Sequence, residues 1–416
     1  MPPVLGYGTN IHAGATLKQS LEEIGRHAPR VRELVNAQRG AAASSPLPIG
    51  LWLSARSVAA MNEGGDRVQA AGLDPSSPIE SLREWFTARG LEVFTFNAFP
   101  YGDFHGPVVK HAVYEPHWGD ARRLLYTLDI AELSVRLCPV GTSDISISTL
   151  PLGWRATLPG RSEAAALGVA TANLQSVIRR LAALEERTGV CVHLDVEPEP
   201  GCMLDRADDV VRLFGDILKT DAAIPGLPRD RREALVRRHL RVCHDICHSA
   251  VMFEDQATAL DTYRRAGISV GKVQVSAAIE CDGSDRAFRW LHQFDEPRWL
   301  HQTSVMDGAG RVHFFDDLGR AIEDAPDGLW RSHFHVPVFA EELAPDGAVR
   351  STRSEIDSCL RAISPEDRIA AYEVETYAWS ALPAGVRRAT LAEDVAAELA
   401  WAHGAMQRAG LLPKDG

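Results

Sequence analysis

The feature that most constrains this chain is an alternation of short apolar strands with longer amphipathic helices, running from end to end. That is the pattern of parallel βα units, in which each crossover between neighbouring strands needs a connecting helix. Strands are expected at Leu5–Ile11, Ile49–Leu53, Glu92–Ala98, Val190–Glu197, Leu240–Asp245, Lys272–Ser276, Ser332–Pro337 and Ile369–Thr376. A further candidate, Ser143–Leu150, reads as part of a long loop after the Glu92 strand, and setting it aside leaves eight. Helix signals lie between the strands. Ser77 and Pro78 open one helix that Gly90 closes, Ser162–Thr188 reads as a long helix ending at Gly189, and a last one runs from Leu391 to Ala409 before Gly410.

The parity of the strands decides between sheet architectures, because successive side chains alternate faces. Val190, Val192, Leu194 and Val196 share one face, while Cys191, His193, Asp195 and Glu197 share the other. Val273 and Val275 oppose Lys272, Gln274 and Ser276; Phe334 and Val336 oppose His333 and His335; Tyr372 and Val374 oppose Glu373 and Glu375. A doubly wound sheet buries both faces under helices and would be apolar on both. Apolar-out, polar-in strands instead predict a closed (β/α)8 TIM barrel with a polar mouth. The expected organisation is a single barrel domain over 1–416 with one insertion between strands 6 and 7, at 282–330. The insertion holds Phe288, Trp290, Phe294 and Trp299, then a hairpin pattern over Ser304–Phe315 around Asp307–Gly310. A loop after a barrel strand emerges at the catalytic face, so this segment reads either as a lid or partner surface, or as a decorative insertion with its own small core.

Composition narrows the function classes. The formal net charge of -12 carries no nucleic-acid footprint. The first residues lack the basic and apolar regions of a signal peptide, and no apolar run approaches a membrane span. The seven cysteines are scattered without a C-x-x-C pair, which fits buried thiols in a reducing cytoplasm better than a disulfide framework.

The polar residues near the strand ends carry the chemistry: Asn10, His12, Asn97, Glu197, Asp245, His248, Gln274, His333, His335, Glu373 and Glu375. Several carboxylates converging on one axis repel one another unless a cation neutralises them. Carboxylates with an amide oxygen and imidazoles suit a divalent Mn, Mg, Zn, Fe or Co ion.

The stretches HLDVEPEPG, VCHDICHSAV, GKVQVS and YEVETY resemble the ligand strands of the xylose-isomerase-like superfamily of sugar isomerases and epimerases. In that family a Glu-Pro ends the fourth strand, a D-x-x-H ends the fifth, the sixth supplies His or Gln and the eighth a Glu. The resemblance implies Glu197, Asp245, Gln274 and Glu375 as metal ligands, with Glu375 preferred over Glu373 because it lies nearer the strand's C-terminal end. It implies Glu197 and Glu375 as the proton-transferring pair and His248 as a catalytic residue that touches substrate. His12, Asn97, His333 and His335 are further substrate-binding candidates, and no organic cofactor site is expected. The longer phrases YGTNIH, GLWLSA, TFNAFPYGDFH, CHDICHSAVMFEDQ and RSHFHVP resemble the EboE family of metabolite traffic proteins. That resemblance spans nearly the whole chain. It implies partner proteins from one gene cluster, including a prenyltransferase, a hydrolase and a sugar-phosphate-cyclase-like protein, in secondary metabolism.

Three functions follow as expectations. The first is a metal-dependent isomerase or epimerase of a sugar, sugar phosphate or cyclitol, acting through proton transfer and a metal-stabilised enediolate. The second is a metal-dependent hydrolase; a zinc-protease reading of His244-x-x-x-His248 would need a helix there, and strand character precedes it. The third is a non-catalytic barrel that binds or passes on a small polar metabolite. Arg331 is the candidate for meeting a phosphate.

Overall fold

The computed structural model describes residues 2–12, 14–40, 45–157, 163–219 and 228–413. Eight parallel strands close into a barrel in which sequence neighbours are spatial neighbours. They are β1 (Val4–Gly8), β2 (Leu47–Trp52), β3 (Leu91–Asn97), β4 (Asp144–Thr149), β5 (Cys191–Val196), β6 (Leu240–Asp245), β7 (Val270–Val275) and, closing against β1, β13 (Ala371–Val374). A second sheet of five strands is built from β8 (Ile279–Cys281), β9 (Thr303–Met306), β10 (Val312–Phe315), β11 (Leu329–Ser332) and β12 (Val349–Ser351), in the order β10-β9-β11-β8-β12.

The (β/α)8 barrel is therefore reached with a different set of strands from the one expected. Ser143–Leu150 is not a loop: its core is β4, paired with β3 and β5. The run Asp-Ile-Ser-Ile-Ser-Thr is short and polar, yet it carries the barrel's parity, with Ile145 and Ile147 buried in the core and Ser146 and Ser148 hydrogen-bonded to polar side chains of neighbouring strands. Ser332–Pro337, in turn, is not a barrel strand. Its first residue ends β11, which pairs antiparallel with β8 and β9, and the chain from His333 onward is irregular. The motif-bearing strands shift accordingly. Glu197 follows the fifth strand rather than the fourth, Asp245 closes the sixth rather than the fifth, and Gln274 lies in the seventh rather than the sixth. The second sheet falls between the seventh and eighth barrel strands rather than between the sixth and seventh.

The helices cover the outside. The helix Leu17–Arg39 is N-capped by a Thr16–Gln19 capping box and ended by Gly40 in the left-handed region, and it packs on the C-terminal helix Leu391–Arg408. The barrel's apolar face (Val192, Leu194, Val196, Val273 and Val275) is buried beneath such helices. Inside, two glycines make room for a carboxylate that crosses the lumen. A Cβ on Gly50 would sit 2.2 Å from Glu373 Oε1, and one on Gly8 2.5 Å from the same atom. Only glycine permits that approach. Among the described residues no helix is long and apolar enough to cross a membrane.

Candidate functional site at the barrel mouth

The C-terminal ends of β5, β6, β7 and β13 bring Glu197, Asp245, Gln274 and Glu375 to one rim of the barrel. Carboxylate oxygens of Glu197, Asp245 and Glu375 lie within 4.8 Å of one another. All three residues are buried. Burial, with Glu375 and Asp245 beside it, pushes the Glu197 carboxyl well above the usual range. Burial also moves Glu375 up to about 7, against an opposing contribution from His335. Burial opposes ionisation of Asp245 as well, but the His248 and His335 rings, the His248 N–H and the Ser276 hydroxyl outweigh it and hold this carboxyl low.

Asp245 is positioned by its own chain. It caps the short helix Ile246–Val251, with Oδ1 accepting from the His248 N–H at 2.9 Å and from Ser276 Oγ at 2.8 Å. Its Oδ2 has no partner, although it is buried. His335 Nε2, also buried and without a hydrogen-bond partner, faces that oxygen at 3.7 Å. The tautomer follows from the other ring nitrogen: Nδ1 lies 2.8 Å from the Glu375 backbone carbonyl and must donate to it. In the neutral ring that leaves Nε2 as the acceptor nitrogen beside the Asp245 carboxylate. The His335 backbone has φ +34°, a strained region for a side-chain-bearing residue, and its neighbours hold it there: Val336 N–H donates to the Ala277 carbonyl at 2.9 Å. Both amide atoms of Gln274, between Asp245 and Glu373 in strand register, are buried without a partner.

One layer below, Lys272 Nζ pairs with Glu373 and donates to Asn97 Oδ1 at 2.5 Å, while Asn97 Nδ2 donates to Glu373 Oε1 at 2.7 Å. Glu373 is thus neutralised within the barrel, and Glu375 is the glutamate that reaches the rim. Asn97 lies in the cavity floor.

His248 and His333 also face the mouth. His248 Nδ1 donates to the Pro198 carbonyl at 2.9 Å, and burial lowers its pKa to about 4, leaving a neutral ring. His333 Nδ1 donates to Gln302 Oε1 at 2.7 Å and its Nε2 stands 3.3 Å from the Tyr377 hydroxyl; burial, with His248 next, keeps it neutral too. Two expectations fail, and the zinc-protease reading, already disfavoured by the strand character before His244, is not met. His12 lies outside the cavity lining: its Nε2 meets the Tyr7 hydroxyl at 3.1 Å and its ring stacks on His27 of the first helix. Arg331 is occupied by Glu280 and Glu355, so it offers no free charge to a phosphate. His244 points away from the mouth to Gln256 at 2.9 Å, so His244 and His248 do not share a helix face.

The cavity also contains residues that the sequence pattern did not single out: Tyr114, Glu199 and Tyr377. Glu199 Oε1 accepts from Tyr114 Oη at 2.6 Å and from Gln302 Nε2 at 3.0 Å, while Oε2 is buried without a partner. The signal for it was present in Glu197-Pro-Glu199-Pro, where the inward parity runs on past the strand end.

No family model matches the chain, and no curated protein matches it. Solved structures with a similar fold include the apo form of the 3-keto-D-glucoside 4-epimerase YcjR from E. coli (13% identity, 97% of this chain and 99% of that one, TM-score 0.44). An L-ribulose 3-epimerase is 11% identical over 99% of this chain and 96% of that one, with a TM-score of 0.47. A zinc-bound IolI protein is 11% identical over 97% of this chain and 98% of that one, with a TM-score of 0.45.

Proposed function

We propose that the mouth binds one divalent cation through Glu197, Asp245, Glu375 and His335, with Gln274 beside them, and that the protein is a metal-dependent isomerase or epimerase of a polyhydroxylated carbonyl compound. The observation that carries this reading is the facing pair of buried polar atoms without hydrogen-bond partners, Asp245 Oδ2 and His335 Nε2, inside a cluster of three carboxylates. Buried acceptors without donors are costly, and a cation satisfies all of them at once. Mixed carboxylate and imidazole donors suit Mn, Zn, Fe or Co better than Mg or Ca.

When bound, the cation would hold two adjacent substrate oxygens and stabilise negative charge developing on them. The chain's own residues supply the rest. Glu197 and Glu375, carried by β5 and β13 with β6 and β7 between them, take a proton from the substrate carbon and return one. His248, held neutral with Nδ1–H on Pro198, accepts a substrate hydroxyl at Nε2. Asn97 and Lys272 fix the floor beneath, so the carboxylates do not collapse into the lumen. The segment 282–330 contributes Trp299 and Leu300 to the cavity wall, and we read it as a cover. The long phrases that resemble the EboE family support a role for this chemistry in a secondary-metabolite pathway.

The test is proton exchange. Protein loaded with Mn(II) is incubated in deuterium oxide with a panel of ketoses and keto-cyclitols. Deuterium wash-in next to the carbonyl, lost in Glu197→Gln and Glu375→Gln, is the expected result. No wash-in with any member would turn the reading toward a barrel that binds its ligand without turnover.

A further inference from the structure

The cavity has two chemically opposite halves. Its floor at the strand ends is polar: Asn10, Asn97, Glu197, His248, His335 and Glu375. Its upper wall, from the loop after β3 and from the segment before β9, is apolar: Phe99, Phe104, Val109, Val113, Trp299 and Leu300. The two wall segments are bound to each other. The Val109 and Lys110 N–H groups donate to the Arg298 carbonyl at 2.7 and 3.0 Å, and Trp299 Nε1 donates to the Phe104 carbonyl at 3.0 Å. The indole N–H is thereby used up within the wall. The Phe104, Trp299 and Tyr377 rings pack on one another with centroids 4.9–5.8 Å apart. Free hydroxyls pressed against such a wall would lose their water partners and gain none.

Charge excludes a second class of occupant. Among the described lining residues the one cationic side chain is Lys110, and it is paired with Asp317. Lys272 is paired beneath the floor with Glu373. A phosphate would therefore enter a cavity lined by Glu197, Glu199 and Glu375 with no unpaired cation of the protein to receive it.

We infer that the cavity is built for an uncharged amphipathic compound: a vicinal polyol head on the floor joined to an aryl or alkyl group beneath the Phe104–Trp299 wall. Such a compound should bind tighter than a free sugar with the same polyol head, and a sugar phosphate weakest of the three. This rests on the reading of the floor as a cation-held oxygen site, and the experiment separates the two. Three compounds sharing a vicinal diol are compared by calorimetry on the full chain: phenylethylene glycol, glycerol and glycerol phosphate, each with and without Mn(II). Phenylethylene glycol should bind at least about tenfold tighter than either of the others. That preference should shrink severalfold in Val113→Ser and in Trp299→Ala, with glycerol unchanged. Glycerol phosphate binding tightest, phenylethylene glycol binding no tighter than glycerol, or no binding of it at millimolar concentration would each overturn the inference. A phenyl preference indifferent to Mn(II) would sustain the amphipathic cavity and sink the cation-held floor.

Discussion

The two ends of the barrel lumen are made of the same residue types and behave in opposite ways. At the N-terminal end, Ser146 Oγ donates to Asp195 Oδ2 at 2.5 Å, His193 bridges Asp195 and Asp144 at 2.6 and 2.9 Å, and Arg241 grips Asp144 with two hydrogen bonds of 3.1 and 2.9 Å. Two carboxylates meet a guanidinium and an imidazole, and none of these side chains carries a buried orphan atom. At the C-terminal end the carboxylates of Glu197, Asp245 and Glu375 converge with no lysine or arginine in the cluster, and Asn10, Asp245, Gln274 and His335 each have an unpartnered buried atom. The lower network is complete as folded, whereas the upper one is complete only with something the chain does not itself supply. A polar barrel interior is thus not by itself a candidate site; the unsatisfied end is the one we propose.

This comparison breaks first on stability. Asp195→Ala should cost about 3–5 kcal/mol in urea unfolding, since it strands His193 and Ser146 in the lumen. Lys272→Met should cost a similar amount by leaving Glu373 unpaired, whereas Asp245→Asn in metal-free protein should cost about 1 kcal/mol or less. Equal losses at both ends would erase the distinction. Next is metal affinity. His335→Ala should weaken binding of Mn(II) or Co(II) by about 10–100-fold in a chelator titration, while His193→Gln leaves it unchanged. A smaller effect is expected from pH. Burial works against a charge on His193, but Asp195 and Asp144 outweigh it and raise its pKa above 6.5. Its contribution is therefore complete below about pH 6.5 and is lost as pH rises through the folded-state value. The melting temperature of the parent should fall on going from pH 6 to pH 9 relative to that of His193→Gln, and parallel curves would show that His193 is neutral in the fold.

Much of this is legible in the amino-acid sequence. The alternation of Val192, Leu194 and Val196 with His193, Asp195 and Glu197 predicts the barrel and its polar lumen. What alternation cannot give is depth. Asp195 and Glu197 share a face, but two residues of strand rise place one in the satisfied lower network and the other at the rim. The strand β4 escaped because six residues with four polar side chains look like a loop, and only pairing on both edges shows otherwise. The stretch Ser-His-Phe-His-Val-Pro misled in the reverse sense. Its alternation is real, with Phe334 and Val336 buried in the core and His333 and His335 facing the mouth, but it arises in an irregular segment rather than a ladder. Tyr114, Gln302 and Tyr377 come from segments with no periodicity, so their convergence on Glu199 and His333 had no local signal.

The central claim is that the unsatisfied end of the lumen is a cation site, and elemental analysis of protein purified without chelator tests it most directly. About one divalent transition-metal ion per chain is expected in the parent, retained in His193→Gln and absent from both Glu197→Gln and Asp245→Asn. A parent that carries no metal and takes none up from solution, or variants that keep it, would show that the unsatisfied end of the lumen is not a cation site.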